Sequence, residues 1–350
     1  LVQEKPPLLT FTTDEQSGLL PHGGRLQAAA AQFSIPLADW LDLSTGINPN
    51  GWPILEPPVS VWRRLPEDDD GLDAVACRYY GVPHLLPVAG SQAAIQALPR
   101  LRRDARVSVL HPGFSEHAHA WRSNGHRVTQ VAIDRIDAIL PDTDVLLVTQ
   151  PNNPTGALFP LEKLLYWHKQ LTSRGGWLIV DEAYMDATPE NSVTTHADQP
   201  GLIVLRSLGK FFGLAGARVG FVCAEPSLLQ ALRQLLGPWT INRPARWMAV
   251  QALCDTAWQQ QARVQLLLSG HRLQTLLTQN RLVPAGGCAF FQWVISPHAV
   301  EICRALATQG ILVRYFSEPL SLRFGLPASE SDWLRLGHAL AKIPRNLIPA

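Results

Sequence analysis

The chain alternates short apolar runs with longer segments in which apolar residues return every three or four positions. Residues 85–88, 106–110, 145–149, 177–180, 202–205 and 219–223 are such runs, most of them rich in β-branched residues, and each predicts a buried strand. Between them, residues 93–101, opened by Gly90-Ser91-Gln92, and residues 161–173 have helical period. Repeated strand, turn and helix predicts an α/β fold with a mostly parallel sheet flanked by helices. Such sheets carry their sites at the carboxyl ends of the strands. Further along the chain the pattern changes. Residues 228–236 and 246–279 read as long amphipathic helices. Residues 288–295, 311–315 and 321–325 then read as strands, and 297–309 and 330–341 as helices. Three parts are expected: an N-terminal segment (1–48) that belongs with the small domain, a large domain (49–237) and a small α+β domain (238–350).

Composition narrows the class. With 350 residues, 46% hydrophobic and 17% charged, the chain can bury a large core or two. A net charge of +1 without a basic run does not favour a nucleic-acid partner, and no apolar stretch approaches bilayer length. Residues 1–20 carry Glu4, Asp14 and Glu15 and lack a cationic start and an apolar core, so no secretory leader is expected. Five scattered cysteines without a C-x-x-C pair predict reduced thiols in a cytoplasmic protein, with neither zinc nor disulfides.

The chemistry concentrates in residues 206–220, between two apolar runs. Lys210 stands beside Phe211, Phe212 and glycines, and a poorly solvated amine is a usable Schiff-base nucleophile. Ser207 and Arg218 offer a hydroxyl and a guanidinium to a phosphate. The alternative is a surface loop with a solvated lysine and arginine. Elsewhere, His22-Gly23-Gly24 precedes an alanine-rich helix that starts near Leu26, which reads either as an anion cradle or as a turn and cap. Asp181 ends an apolar run and is expected to be buried, because Val180 and Ala183 flank it; a buried carboxylate needs a partner. Arg314 and Arg323 lie on or beside neighbouring predicted strands, where they serve one pocket or the solvated rim.

Three segments are more specific: Pro-Asn-Asn-Pro-Thr-Gly at 151–156, Asp-Glu-Ala-Tyr at 181–184, and residues 207–220. On these the chain resembles the fold-type I pyridoxal-phosphate enzymes, in the subgroup of histidinol-phosphate aminotransferases and threonine-phosphate decarboxylases, over residues 22–323. The resemblance implies pyridoxal 5′-phosphate as cofactor. Lys210 then forms the Schiff base, Asp181 pairs with the pyridine nitrogen, and Asn153 and Tyr184 bond the ring hydroxyl. Phe114 stacks on the ring, and Gly90, Ser91, Gln92, Ser207 and Arg218 cradle the phosphate. The family's Tyr-Pro-Asp near position 65, whose tyrosine reaches the neighbouring subunit's cofactor, is here Leu65-Pro66-Glu67, and Gly209 stands where Ser or Thr is commoner. A homodimer is still expected.

Within the subgroup, His-Gly-Gly at 22–24, Ser-Thr-Gly-Ile-Asn-Pro at 44–49, Gly-Pro-Trp-Thr-Ile-Asn at 237–242 and Ile-Leu-Val-Arg at 311–314 look more like the decarboxylases. That implies a small phosphorylated amino acid, L-threonine O-3-phosphate, as substrate. The product is (R)-1-amino-2-propanol O-2-phosphate, which joins the corrin ring to the nucleotide loop in cobalamin synthesis. His22 and Arg314 would help hold the substrate phosphate, Gly23, Asn48 and Asn153 the substrate, and Arg323 its carboxylate. The runner-up is a phosphate-specific aminotransferase acting on histidinol phosphate. A regulator using this fold as an effector-binding module would carry a DNA-binding segment, for which 350 residues leave no room.

Overall fold

The structure, a computed structural model, describes Leu20 and residues 22–348. The expectation of a leader-free start falls, but for Leu20, outside the described residues. Two compact units are present: residues 47–269 with 288–290, and the segment ending at Gly46 with 270–287 and the chain from Phe291.

The larger unit is built on a seven-stranded sheet in the order Leu86–Val88, Gly220–Cys223, Leu202–Ser207, Trp177–Asp181, Val145–Thr149, Arg106–Leu110, Arg127–Val131. The last five run parallel, and Gly220–Cys223 is antiparallel to both of its neighbours. Every residue of Val145–Thr149 and Leu202–Ser207 is buried, as expected of central strands covered on both faces. On one face Ile179, Ile203 and Leu205 pack with Ile95, Trp121 and Leu232 from the helices Ser91–Ala97, Ser115–Ser123 and Pro226–Leu236. The edge strand Arg127–Val131 has no counterpart among the predicted runs. It reads Arg-Val-Thr-Gln-Val and buries only Val131, so pairing with Arg106–Leu110, and not an apolar pattern, makes it a strand.

The unit boundary expected at residue 237 is displaced. The helix Arg243–Cys254 packs on Leu72–Tyr80 within the larger unit, and Arg246 grips Asp70 bidentately at 2.6 and 2.7 Å. The long predicted helix over 246–279 breaks at Asp255, whose carboxylate accepts from Trp258 N and so caps Thr256–Gln279.

In the smaller unit a four-stranded sheet runs Arg314–Ser317, Leu320–Gly325, Phe291–Ile295, Gly286–Cys288, with Leu320–Gly325 antiparallel to both neighbours. Leu41–Asp42 and Ile311–Leu312 form a separate parallel pair. Two predicted strands therefore divide. The run 288–295 reverses at Ala289-Phe290, where Phe290 is fully buried against Tyr184, ring centroids 5.4 Å apart. The run 311–315 changes sheets at Val313. Neither break carries a Gly, Pro or Asn signal. The last helix, Glu330–Ala341, starts with a capping box between Ser329 and Asp332.

Candidate active site

Strand alternation sorts the polar residues at the sheet's carboxyl end. Asp181 pairs in register with Leu205, so Asp181, Leu205 and Ser207 point to the face that holds Ile179 and Ile203. Asp181 is 3% exposed. Its Oδ2 lies 2.9 Å from Nε2 of the buried His117, and Oδ1 accepts from Ala183 N at 3.1 Å. Burial and a local turn thus coexist at this residue. His117 escaped the sequence reading. It comes from the helix Ser115–Ser123, one helical turn after Phe114, and that spacing was the available signal. Phe114 is half-buried and stands edge-on to His117 at 5.7 Å.

Lys210 is half-buried, with Nζ over the Tyr184 ring, 5.5 Å from its centroid. Phe211 and Phe212, its neighbours in sequence, are core residues. Both are fully buried, pack edge to face at 5.0 Å, and contact Trp258, on which Phe212 stacks. Their work is to anchor the loop. Asn48 completes that anchor: its backbone N donates to Lys210 O at 3.0 Å and its Nδ2 to Phe211 O at 2.9 Å. Its Oδ1 accepts from Asn50 N, so Nδ2 is the part of this side chain, expected at the substrate, that holds the Lys210 loop.

A second cluster forms because Gly220 pairs in register with both Val88 and Ser207. The Gly90-Ser91 turn, Ser207 and the residues before Gly220 therefore meet at one end of the sheet. Gly90 has φ +72°, and a Cβ there would come within 2.7 Å of Arg218 Nη2. Arg218 is exposed and itself left-handed, with Nη1 donating to Ala215 O at 3.1 Å. Ser207 Oγ accepts from Gly209 N at 3.1 Å, which leaves its hydrogen to donate. The amide of Gln92 donates to Glu116 at 2.8 Å. Asn153 sits half-buried in the turn after Val145–Thr149; the adjacent Asn152 clamps that turn through Pro112 O and Thr155 Oγ1, each at 2.9 Å.

Pyridoxal 5′-phosphate fits these residues. A buried, oriented carboxylate answers a pyridinium nitrogen, an amine answers a carbonyl, and a glycine-lined notch beside a guanidinium and a hydroxyl answers a phosphate.

The smaller unit contains a different device. Arg314 and Arg323 are register partners on antiparallel strands. Arg323 is 4% exposed, lies over Phe291 and donates from Nη2 to Ser44 O at 2.6 Å. Burial, and then the charge of Arg323, push the Arg314 guanidinium down to about 10. Two neighbouring, poorly solvated cations favour an anion. The His22-Gly23-Gly24 segment joins this group. Gly24 N donates to Ser44 Oγ at 2.8 Å, and at Gly23 a Cβ would lie 2.3 Å from Ser44 O, while His22 is exposed. Asp42 fixes Ser44 in turn, accepting from its N and Oγ at 2.8 and 2.6 Å.

The chain belongs to the class I and II aminotransferase family, whose model matches residues 72–342. It is 56% identical over 324 residues to the threonine-phosphate decarboxylase of Pseudomonas aeruginosa, covering 92% of this chain and 97% of that protein. Among solved structures it shares its fold with the histidinol-phosphate aminotransferase of Sinorhizobium meliloti in complex with pyridoxal-5′-phosphate (TM-score 0.82, 21% identity, 96% and 98% of the two chains). The fold is also that of the L-threonine-O-3-phosphate decarboxylase of Porphyromonas gingivalis (TM-score 0.74, 20% identity, 85% and 97%).

Proposed function

We propose that this protein is a pyridoxal-phosphate-dependent decarboxylase that converts L-threonine O-3-phosphate to (R)-1-amino-2-propanol O-2-phosphate for cobalamin synthesis. The observation that carries the substrate reading is the in-register pair of half-buried Arg314 and buried Arg323 beside the Ser44-clasped glycine segment, with high identity to a threonine-phosphate decarboxylase over nearly the whole chain. The cofactor supplies an electron sink for the pair left at the substrate α-carbon when carbon dioxide departs. Asp181, oriented by His117, keeps a proton on the ring nitrogen. Lys210 would hold the cofactor through Nζ and would return to the α-carbon the proton that replaces the carboxylate. Ser207, Arg218 and the Gly90-Ser91-Gln92 turn hold the cofactor phosphate, Phe114 covers the ring, and Asn153 and Tyr184 hold its hydroxyl.

Which bond at the substrate α-carbon breaks would be set by the residues that anchor the substrate. Arg314, with His22 and Gly23, takes the substrate phosphate, and Arg323 takes the carboxylate; guanidinium groups suit both. Asn48 keeps one amide hydrogen for the substrate after its bond to Phe211.

The protein acts as a cytoplasmic homodimer in this reading. Ile54, Val59, Trp62, Leu65 and Trp239 are all more than half exposed in the larger unit, an apolar surface that a second copy would cover. Among the described residues no helix is long and apolar enough to cross a membrane.

The test is to supply threonine phosphate, with and without a keto acid, and measure carbon dioxide and amine. Stoichiometric carbon dioxide without the keto acid supports the proposal. No carbon dioxide, with consumption of histidinol phosphate only when a keto acid is present, would make the enzyme an aminotransferase.

A further inference from the structure

Behind Asp181 and Ser207, on the opposite face of the sheet, lies a buried charge cluster. Strand alternation turns Glu182 and Arg206 away from the cofactor residues, and the ladder continues there with Glu182 N donating to Leu205 O at 2.9 Å. Glu182 is fully buried and Arg206 is 2% exposed. One nitrogen of the Arg206 fork pairs with Glu182 Oε2, and the other with Oδ1 of the fully buried Asp186 at 2.6 Å. Glu182 also accepts from Val193 N and Thr194 Oγ1, each at 2.9 Å, and from Ser192 Oγ. Burial opposes the guanidinium charge, and Asp186 and Glu182 more than offset that, holding Arg206 firmly protonated.

The cluster reaches round to Lys210. Asp186 Oδ1 accepts from Tyr79 OH at 3.2 Å; Arg263 donates to Asp186 O at 3.0 Å and to Tyr79 OH at 3.3 Å. Tyr79 packs on Phe212 and Arg263 lies over Phe211, the two residues that follow Lys210. A single guanidinium thus spans the strand end that carries Asp181 and Tyr184 and the strand end that carries Ser207 and Lys210.

We propose that Glu182, Arg206 and Asp186 are positioning residues that lock the register of these two strand ends and so place Asp181, Ser207 and Lys210 for the cofactor. A slip of one residue would bring Glu182 and Arg206 to the cofactor face and turn Asp181 and Ser207 away. Buried charges bound at both ends forbid that slip more strongly than interchangeable valines do, since an alternative register strands a charge without its partner. The inference rests on the cofactor roles proposed above for those three residues.

The experiment compares Glu182→Gln with Val180→Ala, which trims the same sheet face two residues earlier without removing charge. Each is loaded with cofactor, and the Tm, the cofactor dissociation constant, the visible spectrum of the bound cofactor, and kcat and KM are measured. Glu182→Gln is isosteric and leaves Arg206 its Asp186 partner. It is expected to weaken cofactor binding about tenfold and to lower kcat with KM within about twofold. Val180→Ala is expected to lose Tm with cofactor binding and spectrum unchanged. Arg206→Lys keeps the charge but lacks the fork, and should fail to restore tight binding. If Glu182→Gln does not fold, Asp186→Asn carries the same comparison, since Arg206 then keeps Glu182. Cofactor affinity and spectrum in the charge variant equal to those of Val180→Ala would overturn the inference. Borohydride reduction of the wild-type holoenzyme separates this from failure of the underlying reading: label on Lys210 leaves that reading standing, and label on another lysine removes it.

Discussion

The two units carry their charged side chains in different arrangements. In the larger unit the charges come already partnered: Asp181 with His117, and Arg206 with Glu182 and Asp186. In the smaller unit Arg314 and Arg323 are like charges paired in register, and burial, then the neighbouring arginine, act against the charge of Arg314. The partnered set is rigid before anything binds, which suits a resident cofactor. Arg314 and Arg323 bring two guanidinium groups to one register position, which suits an anionic substrate that comes and goes. Site residues of the first kind are costly to lose outright; those of the second kind discriminate between ligands.

The largest effect should come from Lys210, which has no understudy. Lys210→Ala is expected to retain the cofactor through its phosphate contacts, to lose borohydride-stable attachment, and to lose turnover to background. Peptide mapping of the reduced wild-type protein checks it. Reduced cofactor on any other lysine would break the contrast at its rigid end.

Asp181 is next. Asp181→Asn keeps size and a bond to His117 but removes the charge that holds the ring nitrogen protonated. Breaking a buried charged pair costs roughly 3–5 kcal/mol, hence a fall in kcat of hundreds- to thousands-fold. His117→Phe, which removes only the orienting bond, should lose less. Comparable kcat in Asp181→Asn and wild type would show that this carboxylate does not face the ring.

Arg314 and Arg323 sharpen the other side. Arg314→Ala should raise KM for threonine phosphate about ten- to a hundred-fold, the worth of a charged hydrogen bond of ~1.5–3 kcal/mol, and should harm unphosphorylated threonine far less. Arg323→Ala should weaken both ligands together, because both carry the carboxylate. Equal losses for the two ligands in Arg314→Ala would remove the phosphate assignment.

The smallest effect is in pH. Arg314 is a cation whose proton is held less tightly than usual, at about 10, so its pull on an anion is complete below that pH and is lost above it. KM for threonine phosphate should therefore rise by about twofold near pH 10 and further beyond, where half and then most of the population is neutral. Arg314→Ala should show no such rise over the same range.

The central parallel strands and their polar ends were legible because each rests on local rules. β-Branched runs of strand length, glycines at tight turns and an acid closing an apolar run act within a few residues. Lys210, Asp181, Ser207, Arg218 and the Gly90 turn could be named from those runs, helped by the family resemblance. His117 offered only its spacing from Phe114, because a histidine on a helix acquires its meaning when packing sets it 2.9 Å from Asp181. The role of Phe211 and Phe212 as anchors was hidden for the same reason: adjacency in sequence suggested cover for the lysine, and their burial against Trp258 is a tertiary contact. Arg127–Val131, the reversal at Phe290 and the sheet change at Val313 were settled by pairing partners distant in the chain. Local sequence determined the central strands and the residue types that stand at their ends. Tertiary structure alone decided which side chains share a face, because cross-strand register and helix packing are properties of pairs of segments and are not encoded in either one separately.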